Sequence, residues 1–189
     1  MNRNSFPQVV IIGAARTPIG VKCGTLNEFA PEELAALACE EAIRRSGVDR
    51  ERIDTAIGAN VYQYTAPGAQ DIYFPRNVAL RCRLREETPG LMVQRICGSG
   101  LQTIINGFQQ IALPEAVDDA KIVICFGAES MSRTPQIVRS HRLRSNFWEF
   151  AEGGVREDTF LAGLNHDLAH TSMMRTADEY GSRMGVTRR

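Results

Sequence analysis

The segment from Arg95 to Ile111, Arg-Ile-Cys-Gly-Ser-Gly-Leu-Gln-Thr-Ile-Ile-Asn-Gly-Phe-Gln-Gln-Ile, puts a thiol where its chemistry is favoured. Leu101, Ile104, Ile105, Phe108 and Ile111 follow the i, i+3, i+4, i+7 spacing of one helix face. The apolar run Leu91 to Ile96 predicts a strand that delivers Cys97 to the turn entering that helix. At a helix N-terminus, unpaired N–H groups and the positive end of the dipole favour a thiolate. Gly98, Ser99 and Gly100 keep bulk away from the sulfur, leaving room for a substrate carbonyl. The same N–H groups can stabilise a developing oxyanion. This pattern suits a nucleophilic cysteine that forms a thioester. The competing reading is a small buried hydrophobe, the usual fate of a free cysteine. Cys125, in an apolar strand, and Cys39, in a helix, read as core; Cys23 and Cys82 have no specific context.

These residues need a scaffold, and the chain spells out an alternation of strands and helices. Gln8 to Gly13 is a short β-branched run ending in glycine, predicting a strand buried on both faces. Pro31-Glu-Glu opens a helix with proline first and acids on the positive end of the dipole. Arg44-Arg45 sit in its last turn and Gly47 supplies the left-handed stop. Further strands are predicted over 53–61 and 121–127, with a short helix over 75–84 and another from Asp167 to Met184. Such alternation predicts an α/β layer architecture with a largely parallel sheet. From Ser132 onward Arg133, Arg139, His141, Arg142 and Arg144 gather with little apolar periodicity, and Gly153-Gly154 marks a loop. Thr187 stands as a helix cap after the stop at Gly185, two residues before the last, so the chain reads as cut short; a frayed basic tail is the alternative.

The helix after Cys97 has no charged residue from Ile96 to Pro114. Surface helices carry Lys and Glu on their outer side, so this one is expected to be covered all round. Either the remaining segments of this chain or a second layer outside it would do so.

Composition narrows the class of function. The 189 residues suffice for a real core, and 22 basic against 22 acidic side chains argue against a nucleic-acid binder. No stretch reads as a membrane span, and the apolar run at 9–12 is too brief for a secretory signal. Five cysteines without a Cys-x-x-Cys spacing fit reduced thiols in the cytoplasm. His166 and His170 have the i, i+4 spacing of a helical metal pair but no third ligand, so no metal site is expected. Gly13-Ala-Ala-Arg-Thr17 is not the glycine pattern of a dinucleotide fold.

Cys97-Gly-Ser-Gly-Leu-Gln, with Val93-Gln-Arg95 before it and Gly127-Ala-Glu-Ser-Met-Ser132 after, resembles the N-terminal half of a thiolase. Val10-Ile-Ile-Gly-Ala-Ala-Arg-Thr-Pro-Ile-Gly20, Asn77-Val-Ala-Leu80 and Met173-Met-Arg-Thr-Ala-Asp178 extend the likeness over nearly the whole chain. A β-ketoacyl synthase shares the nucleophile logic, but the Gly-Ala-Glu-Ser-Met-Ser segment speaks for thiolase. The resemblance implies a thiolase-like half: a mixed, mostly parallel sheet with helices on both faces over 1–132, and the start of a CoA-binding loop subdomain over 133–189. It implies Cys97 as the acyl-accepting nucleophile and Met173 as the acyl-pocket methionine, with no bound cofactor and a coenzyme A thioester as substrate. Ser172 stands where the family usually has His, and His170 lies two residues off. The arginines from Arg133 to Arg144 would meet CoA phosphates, line an oligomer-forming loop, or form a solvated basic surface.

The resemblance also says what is missing. In the family a second half brings a Gly-His-Pro histidine that activates the nucleophile, an Asn-Glu segment, and a Cys-x-Gly cysteine that acts as acid and base. None occurs here. Acyl transfer between CoA thioesters is therefore expected only with that half supplied, by a homo-oligomer or a complementary thiolase chain. The alternative is a non-catalytic, thiolase-derived binding or assembly subunit.

Overall fold

The computed structural model describes residues 8–113, 119–139 and 155–187. His141, Arg142, Arg144 and Gly153-Gly154 lie outside the described residues. Two units are distinguished, Met1–Arg133 and Thr134–Arg189. Among the described residues no helix is long and apolar enough to cross a membrane.

The first unit is built around a three-stranded parallel sheet of β1 (Thr55–Ala59), β2 (Gly90–Met92) and β3 (Val123–Gly127), in the order β2-β1-β3. In the register, Ile57 stands beside Leu91 on one side and Cys125 on the other. All five residues of β1 are buried, the pattern of a strand covered on both faces.

Helix α1 (Pro31–Ser46) begins and ends as its sequence dictates. The Glu33 carboxylate reaches back to accept from the Ala30 N–H at 2.8 Å. Gly47 ends the helix at φ 67°, where its N–H donates to the Ile43 carbonyl. Arg44 and Arg45 both bond Glu41, holding that exposed carboxyl down at about 2. Helix α2 (Phe74–Arg81) packs on α1 and on the sheet. Between them lies the core, with Phe74, Val78, Cys39 and Ala56 fully or almost fully buried. The rings of Phe74 and Phe126 meet at 5.6 Å in a tilted arrangement. Gly58 makes room for it, since a Cβ there would stand 2.7 Å from Phe126.

Helix α3 (Ser99–Ala112) covers the other face of the sheet. Cys125 points towards it and its neighbour Phe126 towards α2, as alternation along a strand requires. A Cβ on Gly107 would lie 2.6 Å from the Cys125 sulfur, so only glycine lets the helix settle at this height.

Two elements differ from the sequence expectation. Residues 8–13 are not a buried strand: no ladder forms, and Val10, Ile11 and Ile12 are exposed. Among the described residues no strand lies alongside to pair with them. Instead Gly13 sits against α1, and Arg45 bonds the Ala14 carbonyl at 3.0 Å. The predicted strand over Leu91 to Ile96 stops at Met92, because the chain must then turn into α3.

The second unit holds an antiparallel pair, β4 (Gln136–Arg139) with β5 (Val155–Asp158), then α4 (Thr159–Gly163), a two-residue pair β6 (Asn165–His166) and β7 (Thr171–Ser172), and α5 (Met173–Arg183). The last helix starts at Met173 rather than near Asp167. Ser172 caps it by accepting from the Arg175 N–H at 3.2 Å, and His170 at φ 49° breaks any continuation backwards.

Truncating the ring in Phe74→Ala is expected to cost about 3–5 kcal/mol. Leu161→Ala, on the exposed side of α4, should change stability by no more than about 0.5 kcal/mol. Urea unfolding of both variants against the parent checks the contrast.

Candidate active site

The C-terminal ends of β1 and β3 and the N-terminus of α3 converge, the usual address of a site in an open parallel sheet. The Val93 N–H donates to Gly58 at 2.9 Å and the Ala128 N–H to Ala59 at 3.1 Å. A Cβ on Gly127 would lie 3.7 Å from Gly100, so the end of β3 abuts the first turn of α3.

Cys97 stands two residues before the first residue of α3 and is exposed. Its turn is tightly specified. The Ser99 hydroxyl accepts from the Arg95 N–H at 2.6 Å and donates to the Ile96 carbonyl at 2.6 Å. The Gly98 N–H donates to Arg95 at 3.1 Å and the Ser99 N–H to Ile96 at 3.0 Å. Arg95 then reaches Gln102, which in turn bonds Asn106. This network holds Ile96 at φ 48°, a conformation that a β-branched residue adopts only under constraint. Strain next to an exposed thiol at a helix entrance is the mark of a side chain aimed for use rather than for packing. A Cβ on Gly100 would meet only open space, so the described chain leaves room there.

Among the five thiols the contrast is plain. Burial pushes Cys125 up to about 11. Cys39 and Cys82 share a hydrogen bond inside the core; that bond and burial raise Cys39 and keep it protonated. Cys97 and Cys23 are the exposed cysteines.

The face of α3 turned to the sheet is unexpected. Ser99, Thr103, Gly107 and Gln110 are buried or lie under it, whereas Leu101, Ile104, Ile105 and Phe108 are 44–71% exposed. The apolar stripe read from the sequence is therefore not this unit's core. Close approach to β3 selected small residues on the inner face, and the larger ones point away.

Sequence reasoning did not single out Glu129 as a side chain with a task. Its half-buried carboxylate accepts from Asn60 Nδ2 at 3.2 Å, the Tyr62 N–H at 3.1 Å and the Val61 N–H. The rest of its motif clamps other loops: Ser130 bonds Phe29, Ser132 accepts from Cys23, and Arg133 bonds Thr65. A carboxylate between two small residues at a strand end was the available signal.

In the second unit Met173 is the first residue of α5, half exposed, with its N–H on the Leu164 carbonyl at 2.9 Å. His166 and His170 do not share a helix. His166 Nδ1 accepts from the Ala169 N–H at 3.1 Å, and no cluster of three metal-binding side chains occurs among the described residues.

Comparison with known proteins decides the lineage. Residues 9–189 match the family described as thiolase, N-terminal domain. The chain belongs to the thiolase family. It is 40% identical over 180 residues to the mitochondrial 3-ketoacyl-CoA thiolase of Pongo abelii, and 34% over 182 residues to the beta-ketothiolase BktB of Cupriavidus necator. These alignments take in 95% and 96% of this chain but 43% of each relative, so it spans less than half their length. The crystal structure of human mitochondrial 3-ketoacyl-CoA thiolase in complex with CoA is similar, with a TM-score of 0.80 at 34% identity, over 94% of this chain and 42% of that one. The α/β architecture is thus that of a thiolase half.

Ser99→Ala removes both bonds that hold the Cys97 turn. The expected cost is about 1–3 kcal/mol in chemical denaturation, with slower alkylation of Cys97.

Proposed function

We propose that this chain is the nucleophile-bearing half of an acyltransferase that moves acyl groups between coenzyme A thioesters. The observation that carries this reading is an exposed thiol at the entrance of α3, on a turn strained at Ile96 and fixed by Ser99. The Cys97 thiolate attacks the thioester carbonyl, and the N–H groups of the α3 entrance face the oxyanion. Collapse of the adduct expels CoA as its thiol and leaves an acyl-Cys97 thioester. The second acyl-CoA then takes the acyl group on its α-carbon, once a base has removed a proton there, and the sulfur is freed.

Both the base for the thiol and the group for that α-proton belong, in this reading, to a second thiolase half. The open apolar face of α3 supports the same division, because such a face needs a covering layer. A complementary thiolase chain or a homo-oligomer would provide it. We assign 1–132 to the nucleophile domain, 133–189 to the start of a CoA-binding subdomain, and Met173 to the acyl pocket. No resident cofactor is invoked. The five free thiols support a reducing compartment, and we place the protein in the cytoplasm, although the mammalian relatives are named as mitochondrial.

Incubation with an acyl-CoA followed by weighing the protein tests the reading. The parent chain, with the C-terminal portion of a thiolase relative added, is expected to gain an acyl mass that hydroxylamine removes. Cys97→Ala should not gain it. If that variant is acylated equally, the nucleophile is elsewhere. If neither chain is acylated, the non-catalytic subunit is the better description.

A further inference from the structure

Resting on Cys97 as the nucleophile, we propose that Glu129 is a positioning residue of that site. It acts through the Val61 and Tyr62 backbone to hold the Tyr62 hydroxyl near Cys97, where it favours the thiolate.

The geometry runs in one chain of contacts. Glu129 lies two residues beyond the end of β3, and β3 abuts Gly100 in the first turn of α3. Its carboxylate gathers the three successive residues that follow β1: the Asn60 amide and the Val61 and Tyr62 N–H groups. Asn60 Nδ2 also donates to the Ala128 carbonyl at 3.0 Å, so both of its N–H groups are spent on the β3 side. One residue further, Gln63 bonds the Met92 sulfur at 3.5 Å, tying the segment to the end of β2 and hence to the strand that leads to Cys97. Tyr62 is pinned from both sides within this span.

The electrostatics agree with the placement. Burial, the Glu129 carboxylate and the Cys97 sulfur together push the Tyr62 hydroxyl above its ordinary value, so it stays protonated and lies within reach of both. A neutral phenol beside an anion turns its O–H towards it. The titratable groups that face Glu129 are Tyr62 and Asp71, and Asp71 is itself buried and bonded by the Tyr64, Thr65 and Ala66 N–H groups.

Glu129 is a poor choice for stability alone. Burial raises its carboxyl above the ordinary range in spite of its three donors. A carboxyl raised in the fold stabilises the protein below its unfolded pKa, and that contribution is lost as pH rises through the folded value. At neutral pH the charged form therefore costs stability, and Asn60 Oδ1 is buried without a partner among the described residues besides. A side chain retained at such a cost points to a task at the site.

The test uses the full chain and reads alkylation of Cys97 by iodoacetamide against pH, by mass spectrometry of its peptide. Glu129→Gln is expected to melt no lower than the parent at neutral pH. Its Cys97 should be alkylated roughly threefold more slowly there, with the half-plateau pH moved up by about half a unit. Tyr62→Phe should show the same shift, and the double variant no more than either alone. Removing a negative charge near a thiol would by itself move the half-plateau pH down. A downward or absent shift, additive effects, or a lower melting temperature for Glu129→Gln each overturn the proposal. Alkylation needs no acyl-CoA, so its outcome is separate from the acylation test of the nucleophile.

Discussion

The height at which α3 rests on the sheet controls the rest of the first unit. Gly107 removes the one side chain that would strike Cys125, and the Cys125 thiol closes the contact at 3.2 Å from the Thr103 carbonyl. With the helix this low, its first turn meets the end of β3, and the residue delivered to that junction is Cys97. A helix held a few ångströms higher would leave the thiol without the neighbouring strand ends that frame it. Close packing, rather than any single hydrogen bond, therefore sets the position of the reactive group.

That packing has a consequence for the opposite face. Small residues inward leave Leu101, Ile104, Ile105 and Phe108 outward, beside the exposed apolar run of Val10, Ile11 and Ile12 elsewhere on the unit. Exposed apolar surface of this kind is characteristic of interfaces. In a chain that spans 43% of its relatives' length, the stripe agrees with a protein whose nucleophile helix is meant to be enclosed.

Much of the fold was legible because it follows local rules. Pro31, Glu33 and Gly47 mark the ends of α1 through backbone hydrogen bonding that each residue type supplies itself. The runs that became β1 and β3 are apolar on both faces, and Cys97 was placed at the helix entrance by the periodicity behind it. Other features depend on what the chain packs against. Periodicity found an apolar face on α3 but could not say that the sheet would take the other one. The β-branched run at 8–13 has strand character without a strand beside it. Asp167 looked like the start of α5, yet the local hydrogen bonds favour Ser172. Glu129 was invisible because its partners are backbone groups nearly seventy residues away.

The most direct measurement compares two cysteines within one molecule. Cys97 and Cys23 are both exposed, but only Cys97 stands at the entrance of a helix of more than three turns. Their alkylation rates at neutral pH, taken from the same limited iodoacetamide reaction by peptide mass spectrometry, isolate the effect of that setting. Cys97 is expected to react several-fold faster than Cys23. Equal rates, or a faster Cys23, would contradict the assignment of the α3 entrance as the site of a nucleophile.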